Sequence, residues 1–269
     1  MQIKTKRVRQ FQRMIFSWWS KNRRDLPWRE TRDPYKILVS EVMLQQTQVS
    51  RVLPKYEEFL FYFPDVYALS RASSARVLRV WKGMGYNRRA LYLKKTAVAV
   101  TGLYHGEFPK SESELIKLPG LGKYTARALL VFAFENNIAM VDTNIRQIIT
   151  HFFYDGESQS EKIIQETADA ILPSGRSWDW HQALMDYGAL ALPKTKRPAK
   201  KYVPFRESAR YFRGQVIDML RDGAVSQRDL AREFQLKYGK DGVFTRNIIA
   251  SLRKDGLIAV SGGRLSLPE

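Results

Sequence analysis

Apolar residues recur at helical spacing along almost the whole chain, in short blocks separated by glycine, proline and polar punctuation. The N-terminal stretch "MQIKTKRVRQFQRMIFSWWS" reads as a basic amphipathic helix. Its apolar part is short, is interrupted by Gln12 and Arg13, and is followed by no small-residue cleavage site, so it does not read as a signal peptide. "PYKILVSEVMLQQTQVSRVLPKYEEFLFYF" is helical by the same spacing, with a break expected at Pro54. "DVYALSRASSARVLRVWKGMGY" reads as two short helices ending at Gly83 and Gly85. Another helix is expected in "SESELIKL", opened by a capping box of Ser111 and Glu114. More follow in "KYTARALLVFAF", "DTNIRQIITHFFY", "SEKIIQETADAIL" and "DWHQALMDYGALAL". No strand pair is evident before residue 255, and nothing repeats at a fixed period. The class is mainly α.

A boundary falls at "PKTKRPAKKYVPF", Pro193 to Phe205, which reads as an extended basic linker or strap. Beyond it the rhythm changes. "RYFRGQVIDMLRDG", "SQRDLAREFQLKYG" and "VFTRNIIASLRKDG" read as three helices, each ending at a glycine, with Ser226 capping the second. "LIAVSGGRLSLP" reads as a hairpin turning on Gly262 and Gly263. Three helices followed by a hairpin is the order of a winged helix.

Composition narrows the partners. The 269 residues are 44% hydrophobic, enough for a sizeable core, and no apolar run approaches the roughly 20 residues that span a bilayer. There is no cysteine, which excludes disulfides, thiolate catalysis and a cysteine-held metal cluster, and a cytosolic location fits. The formal net charge is +18, denser after residue 190, and points to a polyanion: nucleic acid before acidic membrane.

Three segments carry candidate chemistry. In "LPGLGKYTARALL", Gly120 and Gly122 allow a tight turn whose amides point outward at the start of a helix, a seat for a phosphate. An ordinary αα-hairpin loop is the alternative. Glu41 sits in the apolar "ILVSEVML", where burial would raise a carboxyl pKa towards that of a general acid. The other reading is a solvated helical stripe of Glu41, Gln45 and Gln48. Asp142, between the apolar "IAMV" and "TNIRQII", reads as a helix N-cap.

"LPWR…PYKILVSEVMLQQTQV", "LPGLGKYTA" and "VDTN" occur in an order that resembles the helix–hairpin–helix superfamily of DNA glycosylases. "SEVMLQQTQV" is similar to its MutY branch, the adenine glycosylases that act opposite 8-oxoguanine or guanine; a thymine or uracil glycosylase at mismatches with guanine, which "GKYTA" and "VDTN" also suit, and a non-catalytic DNA-binding protein are the alternatives. The resemblance runs from about Leu26 to Leu192. It implies a two-lobed all-helical helix–hairpin–helix glycosylase fold with a small C-terminal winged-helix-like α+β domain. Residues 1–29 with 139–212 would form the lobe carrying Asp142, residues 30–138 a six-helix lobe with the hairpin, and residues 213–269 the winged-helix-like domain. The implied partner is double-stranded DNA with a mispaired or oxidised base, bound by a monomer in the cytoplasm at the nucleoid, with no membrane involved.

The resemblance also assigns roles. Glu41 becomes the acid that protonates the departing adenine, Asp142 the anion that stabilises the sugar cation, and Asn144 an amide beside the sugar, a two-carboxylate logic shared with glycoside hydrolases. Tyr124 stands where superfamily members that also cut the backbone carry a Schiff-base lysine, so the chain resembles the monofunctional branch with water as nucleophile. Lys123 is adjacent but points elsewhere on a helix, leaving weak incidental lyase activity open. Leu26, Trp28 and Arg29 match the wall of the adenine pocket, Arg24 a residue reaching the catalytic carboxylates, and Asp186 a carboxylate that reads the adenine amino group. Gln46 matches the wedge that fills the vacated stack and Tyr86 a residue inserted beside the opposing base. Arg88 and Arg89 are placed for phosphates, as are Gly120, Gly122, Lys123 and Thr125 at the hairpin. Packing or surface exposure is the plain alternative for each.

Two departures stand out. Most of the family holds an iron–sulfur cluster on four cysteines; the aligned positions here read Leu192, Ala199, Tyr202 and Ser208, so no cluster is expected, though a cation at the hairpin stays open. The lysines of "PKTKRPAKK" are expected to touch the DNA backbone instead. The usual tail that senses 8-oxoguanine is replaced by the winged-helix-like segment, which leaves the opposing-base preference open. That segment is expected to bind duplex DNA through Arg246, Arg253 and Lys254, or else to serve as a protein-binding or packing module.

Overall fold

The structure is a computed structural model that describes residues 4–193 and 204–269. Along the chain run α1 (Thr5–Asn22), α2 (Pro34–Leu44), α3 (Val49–Tyr62), α4 (Val66–Arg71), α5 (Ser74–Val80), α6 (Arg88–Leu103) and α7 (Glu112–Leu115). They are followed by α8 (Lys123–Phe132), α9 (Thr143–Phe153), α10 (Glu161–Ile171), α11 (Ser177–Leu190) and α12 (Ala209–Asp222). The chain ends with β1 (Val225–Ser226), α13 (Gln227–Tyr238), α14 (Gly242–Lys254), β2 (Ala259–Ser261) and β3 (Arg264–Ser266). The mainly helical class is as expected. The chain divides into two compact units, Met1–Val42 with Phe108–Lys196 and Met43–Glu107 with Arg197–Glu269.

In the first unit, Phe11, Ile15 and Trp19 recur every four residues and give α1 one apolar face. That face packs with Ile145, Ile148, Ile149, Ile164, Trp180 and Leu184 from α9, α10 and α11. Phe11 meets Phe153 and Trp180 edge-on, with centroids 5.1 and 5.6 Å apart. Short α7, capped by Ser111, leads through Leu118 and Gly120 into α8. Gly120 takes φ +81°, a left-handed turn that glycine adopts without steric cost. The expected helix–hairpin–helix is therefore present.

In the second unit, α3 to α6 bury Val52, Tyr56, Phe59, Val77, Leu78 and Trp81. The break expected at Pro54 is not there: Pro54 lies inside α3. The chain instead breaks between α2 and α3, where Gln46 takes φ +56° and cannot continue a helix. Burying Val52, Tyr56 and Phe59 on one face of α3 outweighs the amide hydrogen bond that proline removes. Gly83 and Gly85 lie in the turn after α5 and do not end it themselves.

The final segment has three helices and the expected hairpin on Gly262 and Gly263. It also has a strand that the apolar pattern did not show. β1 is only two residues long, too short for an alternation to register, and it pairs antiparallel with β3 to give the sheet order β1–β3–β2. Phe212, Val216, Phe234, Leu252 and Leu265 form the core under this sheet.

Candidate active site

Glu41 is buried on α2, which ends at Leu44, so the solvated stripe with Gln45 and Gln48 does not form. Burial pushes the Glu41 carboxyl up to about 7; a hydrogen bond from Tyr124 opposes this and the nearby Asp142 adds to it. Tyr124, in the first turn of α8, donates its phenol proton to Glu41. Its own pKa is raised by burial and by the two carboxylates beside it. The two carboxyl groups are thus electrostatic neighbours, with a phenol fixed on one of them.

Asp142 caps α9. Its Oδ1 accepts from the Ile145 amide at 2.7 Å and its Oδ2 from Asn144 Nδ2 at 3.2 Å. Burial raises its pKa, against the pull of these donors. The segment leading to it is gripped from several sides. His181 Nε2 accepts the Met140 amide at 3.0 Å, while Ser177 Oγ donates to the Ile138 carbonyl at 2.9 Å. Arg127 and Gln165 both donate to the Ala139 carbonyl, at 2.8 and 3.2 Å. Arg127 also pairs with Glu112 at 2.9 Å, which ties α7 to the same segment. His181 is buried on α11, and burial lowers its pKa to about 4, so it is the neutral imidazole with Nδ1–H on the Ser177 carbonyl. The sequence reading missed it; a lone histidine in the apolar "DWHQALM" was the available signal.

Several expected site residues need correction. Asp186 is not free to read an adenine amino group. It is fully buried and receives five donors: Trp19 Nε1 at 3.0 Å, the Arg24 amide at 3.2 Å, Arg24 Nε at 2.6 Å, and the Arg29 fork at 2.9 and 2.8 Å. Burial would raise its pKa, but Arg29 and Arg24 hold it below the usual range. A carboxylate has about four lone-pair sites, so no acceptor capacity remains for a base. Arg24 accordingly points to Asp186 and not to the catalytic carboxylates, and Arg29 is a buried structural partner. Leu26 and Trp28 are buried at the same short turn.

Thr125 is 3% exposed on the core face of α8, so its side chain is not available to a phosphate. Gly122 and Lys123 are exposed, and Gly122 caps α8 with no side-chain acceptor on its first amides, which suits an anion seat. Arg89 does not face solvent either. Its guanidinium donates to the carbonyls of Met43, Gln45, Met84 and Gly85 and to Thr47, closing two loops on each other. Burial lowers its pKa to about 10. Arg88 is half-exposed, paired with Asp255 at 3.3 Å and with Tyr92 at 2.8 Å. Gln46 is exposed, and Tyr86 adopts φ +47°. Of the four positions aligned with cluster cysteines, Leu192 and Ser208 offer no thiolate, and Ala199 and Tyr202 lie outside the described residues, as does all of "KTKRPAKK". With no cysteine anywhere in the chain, these residues do not fit an iron–sulfur cluster.

A buried acid beside a capped carboxylate, on either side of a helix–hairpin–helix, defines a base-excision scaffold, and the family model for HhH-GPD superfamily base excision DNA repair proteins matches residues 39–174. The chain belongs to that family. Among its relatives, the adenine DNA glycosylase of Mycolicibacterium smegmatis is 32% identical over 278 residues, covering 94% of this chain and 94% of that protein. The adenine DNA glycosylase of Buchnera aphidicola is 36% identical over 205 residues, 75% of this chain but 58% of that protein. The thymine/uracil-DNA glycosylase of Methanothermobacter thermautotrophicus is 32% identical over 73% of this chain and 90% of its own length. Among solved structures, a thermostable thymine-DNA glycosylase aligns with TM-score 0.65 and 33% identity over 69% of this chain and 87% of that one. The resemblance drawn from the motifs is thereby borne out. Among the described residues no helix is long and apolar enough to cross a membrane.

Proposed function

We propose that this chain is a monofunctional adenine DNA glycosylase that removes adenine mispaired with 8-oxoguanine or guanine. The observation that carries the reading is Glu41, buried, hydrogen-bonded by Tyr124 and held near pKa 7 beside the Asp142 carboxylate. Protonated Glu41 delivers its proton to a ring nitrogen of adenine and makes the base a neutral leaving group. As the glycosidic bond breaks, positive charge develops on the sugar, and Asp142, fixed by Ile145 and Asn144, stabilises it. Water completes the hydrolysis, and Tyr124 offers no amine for a Schiff base. No cofactor enters these steps, and a cation on the hairpin carbonyls is compatible with them.

The same reading makes the protein a monomer acting on duplex DNA in the cytoplasm at the nucleoid. It takes the lobe division 1–29 with 139–212, 30–138 and 213–269 as the functional one. A second reading, excision of thymine or uracil opposite guanine, is favoured by the Methanothermobacter relative and the solved thymine-DNA glycosylase.

Single-turnover assays on duplexes carrying A:8-oxoG, A:G, T:G and U:G, with and without alkali, separate the two. Excision of adenine that needs alkali for strand cleavage supports the first reading, and product only from T:G or U:G supports the second. Glu41→Gln is expected to lower the rate about 10²- to 10⁴-fold while leaving duplex binding intact. Full activity of that variant would falsify the assignment of the acid.

A further inference from the structure

Residues 135–142 join α8 to α9 without belonging to a helix or a strand. Asp142 stands at their end, so no regular ladder of backbone hydrogen bonds fixes the approach to its carboxylate. Backbone groups buried outside regular structure need partners from side chains. Ala139 and Met140 are the buried part of this stretch. The peptide bond that joins them is held on both sides. Its oxygen, on Ala139, accepts from Arg127 Nη1 at 2.8 Å and from Gln165 Nε2 at 3.2 Å. Its N–H, on Met140, donates to His181 Nε2 at 3.0 Å. Arg127 comes from α8, Gln165 from α10 and His181 from α11, so helices from three parts of the chain hold one peptide plane.

Each of these side chains is itself set. His181 Nδ1 lies 2.7 Å from the Ser177 carbonyl, an acceptor, so Nδ1 carries the hydrogen and Nε2 is left bare to accept. Arg127 Nε donates to Glu112 Oε2 at 2.9 Å, which fixes the plane of its guanidinium. Gln165 Nε2 also donates to Asp169 at 3.1 Å. Packing does less for the end of the stretch. A cavity of about 410 Å³ borders it, with Tyr124, Arg127, Val141 and Gln165 in its wall. Val141, the residue before Asp142, is half-buried with open space beside it, so hydrogen bonds hold the approach more than contacts do.

We propose that Arg127 and His181 are positioning residues for Asp142. By fixing the plane of the Ala139–Met140 peptide they set the direction of the backbone two residues on, and with it the place of the carboxylate. The bonds from Ile145 and Asn144 fix Asp142 to α9 alone. The clamp ties it to α8, α10 and α11 as well, and α8 also carries Tyr124 with its bond to Glu41. Stabilising a developing cation requires an anion already in place, which does not reorganise as the bond breaks. A misplacement of about 1 Å costs about 10²-fold in rate. Neither residue touches the reacting atoms; both act through the backbone. This inference rests on the reading of Asp142 as the anion beside the sugar.

The test is binding of the full chain, by fluorescence anisotropy, to duplexes carrying a pyrrolidine or a tetrahydrofuran abasic analogue opposite guanine. The pyrrolidine is cationic at neutral pH and copies the charge of the sugar cation; the tetrahydrofuran is neutral. The ratio of the two affinities reads where the anion stands, whichever base is excised, and a general loss of stability does not move it. The wild-type chain is expected to prefer the pyrrolidine about 10²-fold, and Asp142→Asn to lose that preference. Arg127→Met and His181→Phe are each expected to lower the preference about tenfold, with tetrahydrofuran binding unchanged. Glu112→Ala, at a half-buried site, releases Arg127 without opening the core. It is expected to shift the ratio in the same direction, and it carries the test if the other two variants fold poorly. Full preference in Arg127→Met or His181→Phe, or in Glu112→Ala where those chains do not fold, overturns the proposal. So does weaker binding of Arg127→Met to both duplexes with a shallower salt slope, which would make Arg127 a phosphate contact. Absence of the preference in the wild-type chain overturns the reading of Asp142 itself, and this inference with it.

Discussion

His181 shows how much one side chain can settle near a site it does not enter. In the unfolded chain the imidazole titrates near 6.5; folded, burial lowers it to about 4. Between these values the unfolded chain binds a proton that the folded chain refuses. The stabilisation is therefore complete above about pH 6.5 and is lost as the pH falls towards 4, roughly 3 kcal/mol in all. Urea titrations at pH 7 and pH 5 should show this slope, and His181→Ala should flatten it. That variant also leaves the buried Met140 amide without its acceptor, at a cost of about 1–3 kcal/mol. Glu41 works in the opposite sense. As an acid it acts only when protonated, so the single-turnover rate should fall about tenfold per pH unit above pH 7. A flat profile between pH 7 and 9 would remove Glu41 from that role. Of these residues, Glu41 and Asp142 were legible as catalytic only through the motifs that carry the family resemblance; by local signal alone Glu41 fits a solvated helical stripe and Asp142 a plain N-cap. The saturation of Asp186 was not, since its donors Trp19, Arg24 and Arg29 lie far away in the chain.

At the scale of elements, the site depends on how closely α9 and α11 approach. A Cβ on Gly188 would stand 2.8 Å from Asn144 Cβ and 3.2 Å from Ile148 Cδ1, closer than packed atoms allow. Gly188→Ala is therefore expected to push α11 off α9 at Asn144, costing about 1–3 kcal/mol in stability, and to lower the excision rate more than it weakens duplex binding. Thermal melts and single-turnover kinetics on the same variant check both effects. The helices themselves were mostly legible, because burial at helical spacing is local information. The exceptions, Pro54 inside α3 and the two-residue β1, are places where tertiary packing decides. Propensity disfavours proline within a helix, yet the buried face of α3 holds it. A two-residue strand has no period of its own, and β3 defines it by pairing.

At the scale of the whole molecule, the net charge of +18 makes duplex binding strongly salt-dependent. α14 sets Arg246, Arg253 and Lys254 around a groove beside β2. If that groove follows a DNA backbone, replacing Arg246 and Arg253 by Gln should weaken binding equally across sequences and reduce the salt slope by about 2. An unchanged slope would make the tail a packing module. The buried carboxylate of Asp186 has one more consequence, for the newly made chain. Its donors, Trp19 in the first helix and Arg24 and Arg29 just after it, leave the ribosome early, and Asp186 emerges 157 to 167 residues later. At roughly 5–20 residues per second that is a wait of about 8 to 30 seconds, during which Trp19, Arg24 and Arg29 lack this carboxylate partner and are open to holding by chaperones. Slowing translation between the two should expose the nascent chain to proteolysis in proportion.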